Sequence, residues 1–157
     1  MLRTLGMIVV AVALGGVALA SGVSSAGTRI SQPTEIDTIE THKVQHVIDN
    51  GKVGSSVGDV FVISTDLSSP DGSTKLGHEH EVCTLIHPEQ SKFSLLCSAT
   101  AEFADGQVSS TGEFPPSDPD TSYSVTGGTG AYESVGGMVV ITTTAAGVLE
   151  LDFQLMP

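Results

Sequence analysis

The chain has 157 residues, no Trp, 4% aromatic residues and a formal net charge of −12 at pH 7. With 18 acidic residues against 6 basic ones, a nucleic-acid or anionic-membrane partner is excluded on electrostatic grounds, since phosphate surfaces are held by clustered Lys and Arg. Charges sit singly rather than in a run that would mark a disordered tail, and no stretch reads as a convincing helix.

Residues 1–26 read as a signal peptide. Arg3 supplies the positive n-region, Met7–Ala20 the apolar h-region and Ser24-Ser25-Ala26 a small-residue cleavage site, with Ala18-Leu19-Ala20 as the alternative. The apolar run is too short and glycine-broken for a comfortable membrane span. A secreted mature chain without a membrane segment is therefore expected. Its charge is −13, because loss of Arg3 leaves 5 basic residues against 18 acidic ones. Residues 27–37 show no period and read as a flexible lead-in. Residues 38–157 form one domain with a modest core.

Eight strand candidates follow. The first covers 38–48 (Ile39, Val44, Val47, Ile48) and ends in a loop carrying Asn50-Gly51. The second, Asp59–Leu67, is apolar on both faces and is expected to be covered on both. A turn cluster, Ser68–Ser73, leads into the third at 77–87. In Phe93–Phe103 the odd positions are all apolar and the even ones polar except Leu96, which is a half-buried strand. Asp105-Gly106 then signals a two-residue hairpin turn, setting Phe103 against Val108 and Ala99 against Gly112. Pro115, Pro116 and Pro119 end that hairpin, since proline cannot donate to a ladder. Ser122–Thr126, Met138–Thr144 and the faultlessly alternating Val148–Leu155 complete the set, the last turn holding two or three residues.

The stretch Val125–Gly137 concentrates Gly127, Gly128, Gly130, Gly136 and Gly137. It lacks the third glycine of a dinucleotide cradle and opens no helix. These residues are expected to form a structural corner outside strand interiors, where the chain takes positive φ or backbones approach closely. Short strands joined by tight turns imply a barrel or a sandwich, and closure removes the aggregation-prone edges. An eight-stranded antiparallel barrel of lipocalin-like shape is the expected fold. Its interior is either filled or holds one small ligand. The inward Ala99, Ala101 and Gly112, beside Phe103, Phe114 and Phe153, are the expected cavity lining.

Val125-Thr126-Gly127-Gly128-Thr129-Gly130-Ala131-Tyr132 resembles the glycine signature of the allene oxide cyclase and dirigent barrel superfamily. The resemblance runs back through Phe103–Gly112 and Val82-Cys83-Thr84-Leu85-Ile86 to Gly58-Asp59-Val60-Phe61. It implies an eight-stranded barrel, often a homotrimer, with a largely apolar cavity in which fatty-acid epoxides cyclise or phenolic radicals couple. Cys83 matches the barrel cysteine of the cyclases, and Thr65-Asp66-Leu67 half matches the dirigent paired aspartates. The cyclases' cavity proline falls near Val62, and their first-strand acid and amide have no clear match in Val44–Asp49.

Three constellations bear on chemistry. A turn centred on Gln90 sets Cys83 opposite Cys97, which favours a disulfide in an exported domain; the rival is a free Cys83 in the cavity. His78 and His80 point the same way on one strand, as weak candidate metal ligands joined by His42 or His46, or simply as a solvated edge. Glu79 and Glu81 share parity with Cys83 and lie opposite Ala101 and Ala99. They are either desolvated acids suited to proton transfer or groups returned to water at a rim.

The expected function is cofactor-free binding of a hydrophobic or aromatic small molecule. With Glu81, Asp66 or Cys83 beside the ligand, the barrel is an isomerase, cyclase or dirigent-type protein. With a filled interior it is a non-catalytic structural or interaction module of the cell surface. For export, N-terminal sequencing of secreted protein should find a mature chain starting near Gly27, and an intact Met1 would contradict the signal-peptide reading.

Overall fold

Strands β1 (Thr34–Ile48), β2 (Val60–Ser68), β3 (Lys75–His87), β4 (Ser94–Phe103), β5 (Gly106–Phe114), β6 (Asp120–Gly130), β7 (Gly136–Thr143) and β8 (Leu149–Met156) each pair antiparallel with the next. β1 also pairs with β8, so the sheet closes into a barrel and has no edge. The structure is a computed structural model that describes residues 29, 30, 32, 34–90 and 92–157. The expected signal peptide and its cleavage site lie outside the described residues. The expected eight-stranded closed barrel is what the chain forms, rather than a sandwich.

Alternation places the core. Leu95, Cys97, Ala99 and Ala101 on β4 and Leu151, Phe153 and Leu155 on β8 are all buried. Cys83 pairs with Cys97, Glu81 with Ala99 and Glu79 with Ala101, the expected register of β3 on β4. Cys83 and Cys97 are disulfide-bonded. Near the β4–β5 turn, the rings of Phe103, Phe153 and Tyr132 pack with centroids 5.4 and 5.7 Å apart and fill the barrel.

Several local expectations need correction. Residues 34–37, read as lead-in, belong to β1, where Thr34 pairs with Leu155 and Asp37 with Asp152. Only Ile36 is apolar there, so the period was too short to detect. Among the described residues β2 is covered on one face only, and Val62 remains 39% exposed because none of them packs over the outside of the barrel there. The β4–β5 hairpin turns at Ala104-Asp105, pairing Phe103 with Gly106 and Ala99 with Ser110. The register is thus two residues from the expected one. An even shift preserves the inward face. Gly106 is needed in the strand because a Cβ there would strike the Thr129 carbonyl of β6. Between β7 and β8, Thr144 N donates to Val148 O around a three-residue turn that ends in Gly147 at φ +76°.

The glycine stretch lies partly within β6, contrary to the expectation that it stands outside strand interiors. A register shift opposite Ser109 and Ser110 gives β6 a bulge, the usual reason for strand glycine. Gly130 adopts φ +63°, and a Cβ there would lie 2.3 Å from Asp105 O. Gly128 has no such φ. Its constraint is close approach, since a Cβ would lie 2.5 Å from Gln107 O and 2.6 Å from Tyr132 O. Gly136 meets nothing within 4 Å. Gly128→Val should therefore cost about 1–3 kcal/mol in denaturant unfolding, whereas Gly136→Ala should stay within about 0.5 kcal/mol of wild type. Equal stability of the two variants would contradict close approach as the reason for Gly128.

Candidate functional site

β1 carries the feature on which the site depends. Its register with β2 shifts between Thr41, opposite Asp66, and Val44, opposite Ser64. Two residues, His42 and Lys43, therefore stand where β2 offers only Thr65, and His42 adopts φ 50°. This bulge changes the phase of the strand. Glu40 and Gln45 would face opposite sides of a regular strand, yet both border one cavity together with Lys43, Glu40 half-buried and the other two exposed.

β3 needs no such device. Regular alternation carries Glu79, Glu81 and Cys83 inward, and Glu79 is only 5% exposed. Tyr123 reaches in from β6 and donates its hydroxyl to Glu81 Oε1 at 2.9 Å. Gly112 makes room for that ring, because a Cβ at 112 would collide with Tyr123.

These groups stand on the wall of a cavity of about 230 Å³. Phe61, Phe93, Leu95, Phe114, Ile141 and Leu149 supply most of its apolar lining. Phe93 and Pro116 place the cavity toward the β3–β4 and β5–β6 loops, away from the end filled by Phe103, Phe153 and Tyr132. The barrel is filled at one end and hollow at the other.

Burial governs the carboxyls. Desolvation pushes Glu40 up to about 7, with Lys43 pulling the other way and Glu81 adding to the rise. Desolvation also raises Glu79 well above its ordinary value, reinforced by the neighbouring Glu40 and Glu81 carboxyls. Glu81 is raised by burial and restrained by the Tyr123 hydroxyl and Lys43. Burial and Glu81 hold Tyr123 in its neutral phenol form. The cup thus presents three carboxyls of raised proton affinity, one of them capped by the Tyr123 phenol. That set can donate and accept protons at one substrate.

Of the expected site residues, Glu81 lines the cavity and is not returned to water at a rim, and Phe114 lines it too. Cys83 also borders the cavity but is bonded to Cys97, so it is no free nucleophile. Asp66 faces outward instead of inward, with Lys75 Nζ at 2.6 Å and His42 Nδ1 at 3.4 Å. It has the opposite parity to Ile63, Thr65 and Leu67. Ala99 and Ala101 are inward but lie in the packed core, where larger neighbours use the room they leave. Phe103 and Phe153 belong to the filled end, and Gly112 lies beneath Tyr123. His78 and His80 lie on the outer face of β3 with ring centroids 6.1 Å apart. Among the described residues, no third ligand atom joins a histidine within 4.8 Å. Glu40, Lys43 and Tyr123 were not expected in the site. Only the bulge and a reach across the lumen bring them there.

Residues 36–151 match the family described as the Allene oxide cyclase barrel like domain. No curated protein matches the sequence. Among solved structures, a pyocyanin demethylase superposes with a TM-score of 0.66 at 21% identity, covering 78% of this chain and 100% of that one. A pterocarpan synthase dirigent protein gives 0.65 at 18% identity, covering 79% and 87%. The Diels-Alderase AbmU from Streptomyces koyangensis gives 0.61 at 12% identity, covering 78% and 63%. At these identities the likeness is one of fold.

The buried acids make stability depend on pH in a defined direction. From the ordinary value of 4.5, Glu40 is raised to about 7 and Glu79 and Glu81 are raised as well, so the fold binds protons more tightly than the unfolded chain. Their stabilising effect is full below about pH 4.5 and is lost as pH rises through about 7. Asp59 and Asp66 are held low and work oppositely, adding stability above their ordinary 3.8 and losing it as pH falls. The thermal midpoint should therefore peak between these two ranges and fall by several degrees toward pH 8, and Glu40→Gln should flatten the fall. A midpoint that is level or rises from pH 5 to 8 would contradict buried, proton-holding carboxyls.

Proposed function

The chain belongs to the Allene oxide cyclase barrel like family, and from that membership we propose that the exported protein binds a hydrophobic or aromatic small molecule in its cup and steers its cyclisation by proton transfer. The observation that carries this reading is the placement of Glu40, Glu79, Glu81 and Tyr123 on the wall of a cavity whose lining is otherwise mostly apolar. A barrel serving only as a surface module has no use for acids buried at such cost.

The proposed chemistry is balanced within the protein. The Glu79 carboxylic acid donates its proton, or a strong hydrogen bond, to a substrate oxygen and draws electron density toward it. Glu40 or Glu81 accepts the proton that leaves the attacking group as the new bond forms, so the substrate gains one proton and loses one. No oxidant or reductant is consumed, so the overall change is an isomerisation. Phe61, Phe93 and Phe114 hold the reacting carbons in contact, which supplies the entropic part of the acceleration. The ring-forming activities named for the Diels-Alderase and the pterocarpan synthase barrels support a cyclisation over other isomerisations.

Fluorescence titration of the full chain with 2-naphthol, a neutral aromatic small enough for the cup, tests the reading. Saturable binding is expected, and Leu149→Trp should abolish it by filling the cavity while the melting temperature holds. Ala99→Trp, set in packed core, should instead cost about 1–3 kcal/mol of stability. Absence of saturable binding by the folded wild type would overturn the proposal.

A further inference from the structure

The charged groups of the cup are unequal in number. β1 contributes Glu40 and Lys43, β3 contributes Glu79 and Glu81, and β6 contributes the Tyr123 phenol. The other strands present only apolar side chains to it, among them Ile63, Leu95, Phe114, Ile141 and Leu151. Three carboxyls therefore face one ammonium. An independent observation lies in the same layer of the interior. Thr65, the register partner of Glu79 and flanked by the inward Ile63 and Leu67, is 3% exposed, and its Oγ1 has no hydrogen-bond partner.

Buried charge requires a counter-charge, and Lys43 supplies one positive charge against three acids. Protons can make up the difference, since burial raises the proton affinity of all three carboxyls. A ligand carrying its own positive charge can replace those protons. In a desolvated site the attraction is far stronger than in water. Phe61, Phe93 and Phe114 offer ring faces that attract a cation and pack against apolar carbon. An anionic ligand would meet the opposite conditions, since Lys43 already acts on all three carboxyls.

Resting on the reading that the cup binds a small aromatic molecule, we infer that its preferred ligands are compact organic cations. These are aromatic or alicyclic ammonium compounds whose charge lies between Glu40 and Glu81 and whose apolar body packs on Phe61, Phe93 and Phe114. Glu79, on the cavity wall, is then free to hydrogen-bond a polar substituent of the ligand. Binding expels a proton, so affinity rises with pH through about 7.

Calorimetry of the full chain with phenyltrimethylammonium and with its neutral isostere tert-butylbenzene separates shape from charge. The cation should bind at least about tenfold tighter at pH 8. The advantage should shrink at pH 5.5, and the heat should vary with the buffer's ionisation enthalpy, as proton release requires. In the double variant Glu40→Gln with Glu81→Gln, confirmed folded by its melting transition, the cation's advantage should vanish while the isostere binds as before. If the isostere binds equally or better in wild type at pH 8, the cation inference is overturned and the apolar-binding reading stands. If neither probe binds, both fall. The pH and buffer dependence in wild type decides the question even where the double variant does not fold.

Discussion

The bond between Cys83 and Cys97 sets the phase of β3 on β4, and the rest of the interior follows from it. Side chains alternate along a strand, so Cys83 inside the barrel requires Glu81 and Glu79 inside as well. A slip of one residue would move both acids to water and bring His78, His80 and Val82 into the core. A bridge closing so short a loop contributes about 3 kcal/mol. That contribution offsets part of the desolvation of the carboxyls, which otherwise favours the very slip that would expose them.

Barrel closure divides the interior in two. At the β4–β5 end, Phe103, Phe153 and Tyr132 fill the lumen and stabilise the fold by burial. At the other end, Phe61, Phe93 and Phe114 form a wall around unfilled space. Between them lies the polar layer, built by two local departures from regularity. The His42–Lys43 bulge sets Glu40, Lys43 and Gln45 on the border of one cavity, and Gly112 lets the Tyr123 ring lie across β5 to reach Glu81. Regular alternation alone would leave Glu81 without the Tyr123 hydroxyl that tunes it.

Much of this was readable from periodicity. The alternation of Phe93–Phe103 and Val148–Leu155, the pairing of Cys83 with Cys97 and the inward parity of Glu79 and Glu81 all appear in the folded chain. Residues 36–151 also match the family that the glycine stretch resembles. Glu40, Lys43 and Tyr123 were not readable, for two physical reasons. A bulge breaks the period of two without a turn residue to announce it, since His42 occupies the unusual φ where Gly or Asn is expected. Contacts across a lumen, such as Tyr123 to Glu81, join strands that are not neighbours in the sheet, so no local pattern encodes them. Ala99 and Ala101 misled in the opposite way. Small residues signal space only when nothing larger projects into it, and here the core surrounds them.

The central claim is that a barrel interior holds carboxyls of raised proton affinity beside a ligand-sized void. Carbon-13 NMR titration of the glutamate side-chain carboxyls, assigned through Glu40→Gln, Glu79→Gln and Glu81→Gln, observes this directly. The account predicts that the Glu79 signal keeps its protonated shift at pH 7, that Glu40 titrates near 7, and that each moves when the other is replaced. Three independent titrations near the ordinary value of 4.5 would show solvated acids, and the account would be wrong.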